Sequence, residues 1–196
     1  MIRQVLIFSL ILWSVAGFSQ HFKAGLLVGP STSQVSGDQL GGFNKIGLKV
    51  GGSVNHPINP ATRGQLEMYY IDKGSNDQNS DFAIVLSYIE TSWSLQKTAK
   101  GFIYEGGLLL GVLIDGKTKD IYGYEDPTKG DFYNYDIGAK IGVGMNIRPK
   151  WQLFWELSNS LPLFPVQDHP GGATFGLNKG KYNSVLSFSF RYLFSE

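Results

Sequence analysis

At 196 residues the chain has room for one domain, with a single core or a single barrel. The absence of cysteine excludes disulfides, a thiolate zinc site and a lipoprotein anchor, while 25 glycines, 14% aromatics and only 17% charged residues suit strands, tight turns and an apolar outer surface. Lysine plus arginine (17) and aspartate plus glutamate (16) nearly cancel, which argues against nucleic acid or another polyanion held by bulk charge.

Residues 1–19 read as a signal peptide. Arg3 marks the basic start, and the apolar run Val5–Ala16 is too short to span a bilayer. Gly17 and Ser19 supply small residues for cleavage before Gln20. Residues 20–196 then form the barrel domain. Arg3 is the one charged residue of the leader, so the remainder is balanced.

Beyond the leader, period-two alternation dominates the chain. Phe22–Val28 is a weak first strand. Ile46, Leu48, Val50 and Val54 then alternate with Lys45, Gly47, Lys49, Gly51 and Ser53. Leu66, Met68 and Tyr70 alternate with Arg63, Gln65 and Glu67. The segment Phe82–Leu95 is apolar on both faces and leaves its register open. Tyr104, Leu108, Leu110 and Val112 alternate with Glu105, Gly107 and Gly111, blurred by Ile103, Leu109 and Leu113. Ile137 to Ile147 alternates with Asp136, Gly138, Lys140, Gly142, Gly144 and Asn146. Leu153, Trp155 and Leu157 face away from Gln152 and Glu156, and Leu186 to Phe194 face away from Ser187, Ser189 and Arg191. About eight strands of membrane-crossing length result. No helix pattern occurs outside the leader, and Leu108–Ile114, the longest apolar stretch beyond it, is far too short for a membrane helix.

The links alternate in length. Segments 31–44, 72–81, 115–131 and 162–181 are long; 55–61, 96–101 and 148–150 are short. Outer-membrane barrels show this asymmetry, with both termini in the periplasm. Aromatics gather near the strand ends. Trp93, Phe102, Tyr104, Trp151, Tyr192 and Phe194 lie at the short-turn end; Tyr70, Phe82, Phe132, Tyr133 and Tyr182 lie at the long-loop end. Two such rings fit interfacial girdles. The polar stripe of Gly, Ser and charge is a poor lining for a greasy cavity, which favours an apolar outside. The expectation is an all-β, eight-stranded antiparallel up-and-down transmembrane β-barrel in the outer membrane.

The stretches Lys23–Ser33, Gly37-Asp38, Lys45–Ser75, Tyr88–Glu90, Phe102–Ile114 and Tyr135–Ile147 resemble the PorT-like outer-membrane β-barrel family of Bacteroidota. That resemblance is a pattern of glycines and strand spacing, without a catalytic motif. It implies an outer-membrane location and eight strands. Some members of that family are tied to protein secretion.

The inward stripe predicts a lumen network of Lys45, Lys49, Arg63, Lys140 and Arg191 with Glu67, Glu105, Asp136 and Glu156, joined by Glu90. A barrel of eight strands is just wide enough for side chains to fill, and buried charges must pair. A salt-bridged filling is therefore favoured over an ion path or a catalytic carboxylate set. His21, His56 and His169 fall at opposite ends, so no shared metal site is expected. Asp168-His169 is the one adjacent acid–imidazole pair, set in loop residues Pro170-Gly171-Gly172, and a pair alone lacks the third group that catalysis needs. No nucleotide fingerprint or cofactor motif occurs.

Loops supply the candidate contacts Tyr122, Tyr124, Phe164, His169 and Phe175. The expected partners are outer-membrane lipid and an envelope protein reached through the extracellular loops, and no nucleic acid. The functional expectation is a non-enzymatic barrel with a structural or interaction role in the envelope. Alternatives are a lipid-modifying enzyme, a small pore, or a soluble secreted lipid-binding barrel.

Overall fold

The computed structural model describes residues 22–38, 42–77, 79, 81–122, 125–126, 132–168 and 180–194. The expected signal peptide lies outside the described residues. Eight long strands follow one another: β1 Lys23–Ser36, β2 Lys45–Asn59, β3 Thr62–Asn76, β4 Ala83–Ala99, β5 Phe102–Lys119, β6 Tyr135–Arg148, β7 Trp151–Ser160 and β8 Gly180–Leu193. Each pairs antiparallel with the next, and β8 pairs with β1, so the sheet closes on itself. Two-residue ladders add Glu125–Asp126 to β5 and Gln167–Asp168 to β8.

Closure leaves no sheet edge, and this is what allows strands to cross lipid. The face that alternation assigns to the outside is outside. Ile46 (74% exposed), Leu108 (58%) and Trp93 (57%) stand on the surface, whereas Glu67, Glu90, Lys140 and Arg191 are buried within. This inverts the usual soluble arrangement, and it identifies a transmembrane barrel. The outward apolar run Phe102–Ile114 rises roughly 30 Å, at about 3.3 Å per residue on a strand tilted by about 40°, against an apolar band of about 25 Å in such barrels.

The strands outrun their sequence-based limits. β1 continues to Ser36, β3 to Asn76 and β5 to Lys119, into segments that read as loops by composition. Polar, glycine-rich sequence does not end a strand whose neighbours keep its backbone paired. The β4–β5 hairpin has a two-residue turn, Lys100 (φ 51°) and Gly101 (φ 83°), and the positive φ at both positions matches the type I′ turns that suit twisted hairpins.

β4, whose register the sequence left open, places Ile84, Leu86, Tyr88, Glu90, Ser92 and Ser94 inward, and Ile89, Trp93 and Leu95 outward. A bulge opposite Ser87/Tyr88 inserts Ile114 into β5 and turns both Ile114 and Asp115 outward. Above it Tyr70 donates to Asp72 (2.5 Å), and Ser87 donates to the same carboxylate (2.9 Å). These outward polar groups end the apolar band on that side. The inward position of Gly107 is a close approach: a Cβ there would lie 2.1 Å from the Trp93 carbonyl oxygen.

Three girdle assignments need correction. Phe132 is buried in the cluster that fills the long-loop end of the barrel, and Phe82 packs against the same cluster. Tyr182 is also buried, and its hydroxyl donates to the Pro162 carbonyl (2.9 Å). Loop segments fold over the rim, carrying Phe82 and Phe132 with them and laying Pro162 against Tyr182 of β8. The outward aromatics at that end are Tyr70, Tyr133 and Tyr135, the last two stacked at 5.5 Å. At the short-turn end Trp93, Phe102, Tyr104, Trp151 and Phe194 are exposed as a girdle requires.

Candidate functional site: a neutralised lumen

At mid-height the inward positions of β2, β3, β5, β6, β7 and β8 converge. Lys140 Nζ lies 2.5 Å from Glu67, 2.5 Å from Glu105 and 3.2 Å from Glu156. Arg191 reaches the same three carboxylates at 2.9, 2.9 and 3.1 Å, and its guanidinium lies 3.6 Å above the Phe154 ring. Lys49 pairs with Glu156 at 2.7 Å. Three cations thus meet three anions, and neutral donors fill the remaining lone pairs. Gln65 and Ser92 donate to Glu67, Ser94 and Gln96 to Glu105, and Ser189 to Glu156. Such charges are tolerable in a low-dielectric interior because each is paired and hydrogen-bonded.

A second group lies toward the long loops. Lys73 pairs with Asp136 at 2.8 Å and with Glu90. Asp136 also accepts from Ser160 (2.7 Å) and Asn183 (2.8 Å). Above it the lumen turns apolar. Val35, Ile84, Leu86, Leu113 and Val185 close together under Phe132 and Val166, which the loops contribute.

Seven of the nine lumen residues expected from alternation therefore meet in these two groups, with Glu90 beside them. Lys45 and Arg63 do not. Lys45 sits at the long-loop rim, where Nζ donates to the Ile46 carbonyl (3.1 Å). Arg63 sits half-buried near the opposite mouth, with no ion pair among the described residues. Alternation assigns a face but no height, and these two positions lie at the ends of their strands. Lys73 escaped notice because it stands in a stretch that reads as loop. Gln65, Gln96, Ser92 and Asn183 escaped because an inward neutral side chain looks like any polar residue of the stripe.

Glu67, Glu105 and Glu156 bring carboxylate oxygens within 4.8 Å of one another, close enough for a shared cation. Lys140 and Arg191 already occupy that role, so the donor set does not fit a metal. In the loops, Asp168 accepts from the Tyr133 hydroxyl at 2.5 Å. That bond holds the phenol above its ordinary range and engages the carboxylate of the acid–imidazole pair. Tyr122 (75% exposed) and Phe164 are on the surface. Tyr124, His169 and Phe175 lie outside the described residues.

No family model matches the chain, and no curated protein matches it in sequence. Among solved structures it is similar to Ail, the attachment invasion locus protein of Yersinia pestis. The TM-score is 0.53 at 11% identity, covering 89% of this chain and all of that one. A second Ail structure, in complex with the heparin analogue sucrose octasulfate, gives 0.51 over the same extent. Neisserial surface protein A aligns at 16% identity over 87% of this chain and 96% of its own, with a TM-score of 0.48. Likeness at this identity speaks to the fold, an eight-stranded antiparallel barrel.

Proposed function

We propose that this protein is a non-enzymatic outer-membrane barrel that uses the membrane as an anchor and its long-loop end as an interaction surface. The observation that carries the reading is the state of the lumen. Among the described residues, paired charges and an apolar layer fill it, which favours an anchor over a channel or a catalytic carboxylate set. What remains available is the outside of the long-loop end. There β3, β4 and β5 continue past the polar ring of Asp72, Ser87 and Asp115. They carry Lys117, Lys119 and the exposed Tyr122 beyond the apolar band. A rigid ledge of this kind presents side chains to a partner at low entropic cost. The PorT-like resemblance adds an envelope setting and a link to protein secretion.

The start of β1, the end of β8 and all three short turns share one rim, which we assign to the periplasm. The chain has no cysteine of its own, so single substitutions report cleanly. A Lys117→Cys variant is expected to react with an impermeant thiol reagent on intact cells, and Lys100→Cys only after lysis. The reverse pattern would overturn the orientation. The washed outer-membrane fraction is expected to hold a band whose gel mobility shifts on boiling. Planar bilayers containing the purified protein should stay silent; steady single-channel steps would make it a pore.

A further inference from the structure

At the short-turn end the lumen opens into a basin of about 220 Å³. Inward positions of the first four strands line it, among them Lys23, Asn55, Arg63 and Thr98, together with Pro57 and Thr62. Among the described residues no acidic side chain contributes, so they give the basin two cations and no counter-charge.

The nearest anion of the network cannot serve Arg63. Glu105 already receives Ser94 (3.0 Å), Gln96 (2.7 Å), Lys140 (2.5 Å) and Arg191 (2.9 Å). Four donors saturate the roughly four lone-pair sites of a carboxylate. Arg63 is thus the one lumen arginine left with a free fork, and its guanidinium geometry matches a carboxylate bidentately. A second observation is independent of charge. Asn55 is 3% exposed, yet its carboxamide oxygen has no hydrogen-bond donor. An oxygen buried in that way costs free energy unless something donates to it.

We propose that this basin is a binding site for a carboxylate flanked by an amide N–H, as at the end of a peptide. Arg63 takes the carboxylate, Lys23 adds a point charge at the rim, and Asn55 accepts the amide N–H. The cavity has room for one small residue and little more. The turns at this end are two residues long, and the one between β2 and β3, Pro60-Ala61, adds only small side chains to the basin wall, so the mouth stays open to the compartment below.

The test uses the full chain, purified in detergent and confirmed as folded by its boiling-dependent gel shift, titrated with N-acetyl-L-alanine by calorimetry. Saturable binding is expected, at least tenfold weaker in Arg63→Gln and several-fold weaker in Lys23→Gln. N-acetyl-L-alanine amide, which lacks the carboxylate, should not bind. Acetate, which lacks the N–H, should bind several-fold more weakly to the natural chain, and Asn55→Ala should erase that difference. Absence of saturable binding, or an Arg63→Gln variant that binds as well as the natural chain, overturns the site. If Arg63→Gln loses its gel shift, Lys23→Gln at the exposed rim decides the same question. Inorganic phosphate binding as tightly as N-acetyl-L-alanine, and lost in the same variants, overturns the peptide-carboxylate assignment in favour of a general oxyanion site.

Discussion

At the long-loop end the barrel interior closes on carbon, with Phe132 and Val166 lying over Val35, Leu86 and Val185; at the short-turn end it is lined by Arg63, Lys23 and Asn55 and stays open. Both ends are lined by the same alternating strands, so alternation is not the source of the difference. Connection length is. A loop long enough to turn back over the rim can deliver an apolar side chain to the lumen axis, while a turn such as Lys100-Gly101 has nothing to spare. Between the two ends, the ion-pair layer separates the apolar plug from the basic mouth.

That contrast can be broken at several points. The largest effect belongs to the middle layer. Lys140→Met removes the cation shared by Glu67, Glu105 and Glu156, and loss of one partner from a buried pair costs about 3–5 kcal/mol. Urea-dependent unfolding in lipid vesicles measures it, and adding Glu105→Gln should return part of the loss. A cost below about 1 kcal/mol would mean that water reaches the layer. Next comes the plug. Leu86→Ala leaves a cavity costing about 2–5 kcal/mol, yet it should leave N-acetyl-L-alanine binding at the other mouth unchanged. A parallel loss of binding would show that the two ends are coupled.

The outer face supplies the third test. Leu108→Arg, near the middle of the apolar band, is expected to cost roughly 2–4 kcal/mol, and Lys117→Ala, above the band, less than about 0.5 kcal/mol. Equal costs would misplace the membrane. The smallest effect is expected at the basic mouth. Arg63→Gln strands no carboxylate, so its stability change should stay within about 0.5 kcal/mol. A loss of several kcal/mol would reveal a partner for Arg63 and remove the reason for a free site.

Much of the barrel was readable in the chain. The side-chain period of a strand is two, so Ile141, Trp155 and Phe190 on one face and Lys140, Glu156 and Arg191 on the other followed directly from sequence. The alternation of long and short links ordered the strands as a meander. β4 resisted because its inward side chains change character with height, from Ile84 and Leu86 in the plug to Ser92 and Ser94 beside the ion pairs. A strand with one apolar face in lipid and a second under a plug has no alternation to read. Lys73 was hidden for the related reason that its neighbours Asp72, Gly74 and Ser75 look like a loop while the β4 backbone keeps them extended.

By itself, then, the sequence determined the number of strands, their order and, outside β4 and the loop-end aromatics, the face each side chain takes, because these follow from local periodicity and link length. Only the closed barrel decided height and partnership. Whether Arg63 joins Arg191 in the network or stands apart depends on which inward positions meet across the lumen. Strand stagger and the saturation of Glu105 set that outcome, and both arise between residues far apart in the chain.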